Sequence, residues 1–205
     1  MSNTENGQSA EGGIGPERER LGFPEPRIYV ASLSDYNAGD LHGEWIAADQ
    51  DTDQLQADIE EMLATSPSTK RGETAEEWAI HDYAGFGGLL INEYESLERI
   101  SRIASGIAEH GPAFAAWVDV CDGCDEQLDD FLDHFIGQFD SRAAFGDQLV
   151  DDYDIERVLD QALPGFMRSF VQIDAERAVR ELEIGGDLTV TEADEEGVYV
   201  FNRRG

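Results

Sequence analysis

Cys121–Glu156 reads CDGCDEQLDDFLDHFIGQFDSRAAFGDQLVDDYDIE and holds twelve carboxylates against one base, Arg142. Leu128, Phe131, Leu132 and Phe135 recur at i, i+3, i+4 and i+7, the spacing that lines one face of an α-helix. Asp125, Asp129 and Asp133 lie four apart on the other side, as do Glu126 and Asp130. Like charges at i, i+4 destabilise a helix by roughly 0.2–0.5 kcal/mol per pair. A chain that needed only a soluble helix would relieve them with lysine, and this one does not. The stretch therefore reads as folded scaffold carrying a fixed array of negative charge. Over Phe135–Phe139 the apolar period shifts from that of a helix towards that of a strand, so the two compete there.

Working outward, the same bias runs through the chain. There are 45 acids against 13 arginines and a single lysine, Lys70, for a net charge of −31. Residues 25–95 carry 16 acids and 3 bases, residues 96–131 carry 8 and 2, and residues 132–205 carry 17 and 7. Every segment is negative, so this is not an acidic tail on a neutral domain. Acidic disordered chains are poor in aromatics; with ten Phe, six Tyr and three Trp, this one is expected to fold. Its charge repels nucleic acids and anionic membranes at long range and favours a basic partner, a cation or mere solubility. No window holds the roughly 18 apolar residues of a membrane span. The opening MSNTENGQSAEGG lacks the charged-then-apolar pattern of a secretory signal, so a cytoplasmic protein is the expectation.

The elements follow from local pattern. Residues 1–25, rich in Gly, Ser, Glu and Pro, read as a disordered leader. Arg27–Leu33 is β-branched and aromatic and is closed by a turn over Ser34–Gly39; Leu41–Ala47 reads as its hairpin partner. Thr52 or Asp53 is placed to cap a helix with Leu55, Ile59 and Leu63 on one stripe. Ser66–Gly72 reads as a loop and Glu76–Tyr83 as a strand. A helix from Ser96 carries Leu97, Ile100, Ile103, Ala104 and Ile107, breaks at Gly111-Pro112, and resumes to Val120. Ser141 caps a helix with Phe145 and Leu149. Ile155–Leu163 is helical and stops at Pro164-Gly165, after which Phe166, Phe170 and Ile173 continue apolar packing. Asp174 caps Ala175–Leu182, and Gly185-Gly186 ends it. Asp187–Thr191 and Val198–Phe201 flank an acidic turn as a C-terminal hairpin. The class is α+β, with a sheet near each end and helices between.

No motif points to catalysis. Among 45 acids, pairs of the kind used in acid–base chemistry arise by chance. No nucleophile motif or phosphate loop is present, and Gly85, Gly87 and Gly88 lack the spacing of a dinucleotide loop. His81 reads as a strand histidine. Asp119–Gly123 lacks the spacing and closing Glu of a calcium loop. Cys121 and Cys124 form one CxxC, too few ligands for structural zinc even with His134; they read as ordinary thiols. No cofactor or metal is expected.

Three accounts of the charge remain: halophilic hydration, a general acidic module for a basic partner, and mimicry of DNA. B-DNA carries one charge per roughly 1.7 Å of axis. The net charge of −31 therefore matches about 50 Å of duplex, and a dimer about 100 Å. Carboxylates at phosphate-like spacing would meet the lysines and arginines of a DNA-binding groove. Such contacts are to charge rather than to sequence.

The residues also carry a family likeness. Ile28–Gly39 (IYVASLSDYNAG), followed by Gly43-Glu44-Trp45, resembles the opening of the ArdA antirestriction proteins. Glu77–Tyr83 (EWAIHDY) is similar to their second signature, and Asp130–Tyr153, with Phe139-Asp140-Ser141 and Leu149–Asp152, to their third. The likeness covers about residues 26–205. It implies a plasmid-, phage- or transposon-type protein that mimics bent B-DNA and blocks type I restriction–modification enzymes at the DNA site of their specificity and methyltransferase subunits. It also implies a curved, elongated homodimer joined through its C-terminal region, binding neither nucleic acid nor membrane. Three small domains follow: a three-stranded sheet with a helix over 26–95, a helical middle over 96–131, and a second three-stranded sheet with helices over 132–205. The Phe135–Phe139 stretch would supply a strand of the second sheet, with Phe131, Phe135, Phe139 and Phe145 joining the last two domains.

On that reading the mimic surface draws on Asp58, Glu61, Glu73, Glu76, Glu77, Asp82, Glu93 and Glu95 in the N-terminal part. It continues through Asp122, Asp125, Glu126, Asp129, Asp130 and Asp133. It ends with Asp140, Asp147, Asp151, Asp152, Asp154 and Glu156.

Overall fold

The structure is a computed structural model, and it describes residues 24–193 and 196–204. Most of the expected leader, and the tip of the turn before the last strand, lie outside the described residues.

β1 (Arg27–Ser32) is the centre of the first sheet. Its even positions point inward: Ile28 and Val30 are fully buried, while Arg27 is exposed and Tyr29 half-buried, the period-two pattern of a sheet with one covered face. The expected turn that follows is in fact helical. Ser32 accepts a hydrogen bond from the Asp35 N–H and opens α1 (Leu33–Ala38), and Gly39 closes it at φ 88°. A residue with a Cβ is strained at that angle. β2 (Gly43–Ala47) starts two residues later than expected, and Leu41 lies outside it, 84% exposed. α2 (Thr52–Ala64) buries Leu55, Ile59 and Leu63 as the stripe predicts. Its cap is Asp51, one residue before the expected Thr52, accepting from the Gln54 N–H at 2.9 Å. The expected loop at Ser66–Gly72 holds the single turn α3 (Pro67–Lys70), capped by Ser66 with Pro67 in the first turn, a position where proline lacks nothing the helix needs. β3 (Trp78–Ala84) completes the sheet in the order β2-β1-β3, all antiparallel.

α4 (Leu97–His110) is capped by Ser96 and buries Ile100, Ile103, Ala104 and Ile107. Gly111 at φ 71° breaks the chain into α5 (Pro112–Val120). The single helix expected over Leu128–Phe135 is not formed. A turn with Asp122 and Gly123 both at positive φ leads into a 3-10 helix, Asp125–Asp130, then one turn of α6 (Phe131–His134), then β4 (Phe135–Phe139). A 3-10 helix repeats every three residues. That period buries Leu128 and Phe131 together and leaves Leu132 outside, 71% exposed. From Phe135 on, pairing with the last strand wins over the helix.

α7 (Arg142–Asp152) is capped by Ser141 as expected. α8 (Ile155–Ala162) and the short α9 (Gly165–Arg168) follow. α10 (Ala175–Ile184) is capped by Asp174 and packs on α7. There Gly146 allows close approach, since a Cβ on it would meet the Ala175 carbonyl oxygen at 2.4 Å. β5 (Leu188–Glu192) and β6 (Val198–Asn202) form the closing hairpin, and the second sheet runs β4-β6-β5, all antiparallel. The architecture is α+β with two separate three-stranded antiparallel sheets. One expectation fails here: Phe166 and Phe170 are not packed but 73% and 84% exposed.

Two apolar clusters hold the chain. The larger runs without a break from β1 and α2 through α4 and α5 to Phe131 and then to Tyr199 and Phe201 of β6. The smaller holds Phe145, Val179, Val190, Val198 and Val200, with Phe139 against it. The expected phenylalanine joint is therefore divided. Phe131 and Phe135 stack at 5.0 Å within the larger cluster, whereas Phe139 and Phe145 pair at 4.8 Å in the smaller.

A candidate acidic interaction surface

The candidate acids sit on nearly every element. Asp58 and Glu61 project from α2. Glu73, Glu76 and Glu77 line the segment before β3, which carries Asp82, and Glu93 and Glu95 precede α4. Asp122, Asp125, Glu126, Asp129 and Asp130 occupy the turn and the 3-10 helix, and Asp133 the one turn of α6. Asp140 follows β4, Asp147, Asp151 and Asp152 lie on α7, and Asp154 and Glu156 open α8. All are exposed except Asp58, Glu95 and Asp125, which are half-buried. The exposed acids extend beyond these: Asp53, Glu98, Glu109 and Asp119 are others.

Among the described residues, most arginines stand beside acids rather than beside one another. Arg99 on α4 lies 3.8 Å from Glu95 and also pairs with Asp125, and Arg102 one turn on reaches Asp129 at 2.7 Å. These two side chains draw the 3-10 helix against α4, so part of the array is fixed in place by ion pairs. Arg71 reaches Asp40 at 2.9 Å and Glu73 at 3.6 Å. Arg168 pairs with Glu156 and Asp160, and Arg157 with Asp154. Arg142 sits in a cleft of about 640 Å³ and donates to Glu192 at 2.8 Å and Glu183 at 3.2 Å. Those bonds raise its pKa above the ordinary arginine value.

One acid behaves differently. Asp35 is fully buried, and its Oδ1 accepts from the Ser68 N–H at 2.8 Å. Burial alone would raise its pKa, but hydrogen bonding to Ser68, Ser32 and Ser66 outweighs that and holds the carboxyl well below the usual range. It ties α1 to α3 rather than joining the surface. Composition gave no sign of this; the serine-rich neighbourhood at Ser32, Ser66 and Ser68 was the available signal.

The CxxC is split. Cys121 is buried and Cys124 exposed, and both are free thiols. Burial, with Cys124 beside it, pushes the Cys121 thiol up to about 11. Among the described residues, no three His, Cys, Asp or Glu side chains are grouped to hold a metal ion. No helix among them is long and apolar enough to cross a membrane.

The arrangement is thus a broad, exposed and partly braced set of carboxylates on an α+β frame. The sequence model of the antirestriction protein family ArdA matches residues 28–196. The chain belongs to the ArdA family. The match covers the first sheet, the ten α-helices of the described residues, and β4 and β5 of the second sheet, and stops in the turn before β6. A search of curated proteins found no match. In this ArdA chain the opening signature maps onto β1 and α1, Gly43-Glu44-Trp45 onto the start of β2, and Glu77–Tyr83 onto β3. These two signatures form the N-terminal sheet, and the third, Asp130–Tyr153, runs from the end of the 3-10 helix through α6, β4 and α7.

Proposed function

We propose that this antirestriction protein inhibits type I restriction–modification enzymes by presenting its carboxylates in place of the phosphates of B-DNA. The groove formed by the specificity and methyltransferase subunits is the site it occupies. The observation that carries the reading is the exposure of the twenty candidate acids, none of them buried, on helices, strands and braced turns from α2 to α8. Arginines that would interrupt the negative field are neutralised where they stand by pairs such as Arg102–Asp129. A disordered acidic chain would lose conformational entropy on binding; a folded one presents its charge already ordered. The protein acts without turnover, and its acids act together rather than singly. All twenty candidates, from Asp58 to Glu156, belong to that surface on this reading.

The reading includes an elongated homodimer of three-domain chains, 26–95, 96–131 and 132–205, joined through the last. Support comes from α8, which buries none of its residues although Ile155, Val158, Leu159 and Ala162 form one apolar stripe. Phe166 and Phe170 beside it are 73% and 84% exposed. Exposed apolar area of this kind marks contact surfaces. A DNA-cleavage and methylation assay with a purified type I system tests the reading. Inhibition of both activities at a stoichiometry near one site per enzyme is expected, and unimpeded cleavage and methylation would count against it.

A further inference from the structure

The outer face of the N-terminal sheet carries two aromatic rings that phosphate mimicry does not use, in a row with one acid that it does. Residues directly opposite one another on adjacent strands share a face. Tyr29 of β1 stands opposite Trp45 of β2 on one side and Asp82 of β3 on the other. Tyr29, Trp45 and Asp82 therefore form a row across the sheet, on the side away from buried Ile28, Val30 and Ile46. The Tyr29 and Trp45 rings meet at 5.6 Å. Gly43 makes room for this, because a Cβ there would lie 2.9 Å from the Tyr29 ring and hydroxyl. Trp45 remains 40% exposed. The Arg27 guanidinium lies over its indole at 4.6 Å, so this ring already accepts a guanidinium within the chain itself. Asp82, exposed, supplies negative charge at the end of the row.

We propose that this row is a docking surface for arginine side chains of the basic protein groove that the acidic surface enters; the inference rests on the inhibitor reading above. Charge complementarity selects that occupant. The chain carries a net −31 and repels nucleic acid, anionic lipid and a second acidic copy at this face. An arginine satisfies both features of the row at once: its plane stacks on an aromatic ring and its N–H groups reach a carboxylate. DNA offers a groove no exposed indole of this kind, so the surface adds an anchor that DNA lacks. Arg27 holds the place that an incoming arginine shares or takes.

The test is binding of the full chain to a purified type I methyltransferase core over a range of salt concentrations, with Trp45→Ala, Trp45→Phe and Arg27→Ala. Folding of each variant is checked by circular dichroism. Trp45→Ala should weaken binding by roughly three- to thirtyfold, the range of a partly desolvated cation–π contact. Because no charge is removed, the slope of affinity against salt should stay that of the unaltered protein. Trp45→Phe should recover part of the loss, and Arg27→Ala should bind as well as the unaltered chain or better. If the unaltered protein binds and folded Trp45→Ala binds equally, the docking surface is refuted while the inhibitor reading stands. If the unaltered protein does not bind, both are refuted.

Discussion

The indole of Trp117 on α5 packs against the ring of Phe201 on β6, with centroids 5.4 Å apart. Trp117 also stacks on His134 at 4.9 Å and donates its indole N–H to the Gln127 carbonyl at 3.0 Å. Phe201 touches Phe131 and Phe135 in turn. This aromatic joint fastens the helical middle to the second sheet. Carboxylates on either side of it keep a fixed spacing only while it stays packed.

Phe201 is completely buried, so Phe201→Ala should lower stability by about 3–5 kcal/mol, the cost of a cavity of that size. Urea unfolding followed by circular dichroism measures it. A change below about 1 kcal/mol would mean that the joint is not part of the folded unit, since surface substitutions fall in that range.

Asp35 gives a pH signature. Its carboxyl is held below the usual range in the folded chain, while the unfolded chain has an ordinary aspartate near ~3.9. The stability it contributes is therefore fully present above the unfolded value and is lost as pH falls through the folded one. Asp35→Ala should reduce stability at neutral pH by about 2 kcal/mol, the order of a hydrogen bond to a charged group. Relative to that variant, the unaltered chain should begin to lose its advantage below about pH 4 and go on losing it as pH falls further. Thermal melts of the two proteins from pH 2 to pH 7 show whether the gap between the curves narrows steadily below about pH 4.

The two thiols should react unequally. Cys121 is buried with its pKa raised to about 11, and Cys124 is exposed; the thiolate is the reactive form. Titration with a disulfide reagent should modify Cys124 promptly in the folded protein and Cys121 only after denaturant is added. Equal, rapid reaction of both would contradict the packing of α5 against the turn at Cys121.

The exposed face of α8 and α9 gives a prediction about assembly. If the proposed homodimer joins through this face, Phe170→Asp should shift the protein from dimer towards monomer in analytical ultracentrifugation, because it places a charge in an apolar contact. An unaltered sedimentation coefficient would contradict a dimer joined through this face.

Much of this fold was legible because single elements were self-consistent. Leu55, Ile59 and Leu63 announced α2, and Ser141 and Asp174 announced two caps. What failed did so where tertiary contacts override a local period. Leu128, Phe131, Leu132 and Phe135 fit a helix equally well on paper, yet β6 claims Phe135 and the 3-10 turn excludes Leu132. Ser34–Gly39 looked like a turn because its residues suit both turns and caps, and Ser32 and Gly39 resolved it as α1. Phe166 and Phe170 are apolar in sequence whether a core or a partner covers them. The surface was legible as composition, since nearly all these acids had to face water. Asp35 was not, because its burial depends on Ser66 and Ser68, more than thirty residues away. The row Tyr29–Trp45–Asp82 depends on strand register, which no single strand reveals.

If the acids act collectively, single changes should matter little. Asp152 is exposed on α7, and Asp152→Asn should leave inhibition within about twofold, as one contact among many screened ones. Asp129→Asn loosens only the pair with Arg102 and should behave the same way. Large loss from either, with the fold intact, would point to a specific contact instead of a charged surface.

Competition with DNA for a purified type I enzyme, measured as inhibitor affinity against salt concentration, tests the central claim most directly. Mimicry of the phosphate backbone predicts that affinity falls steeply and linearly with the logarithm of salt, as it does for DNA itself. It also predicts that neutralising many of the acids from Asp122 to Glu156 together flattens the slope. A slope near zero, or binding that leaves DNA in place on the enzyme, would contradict it.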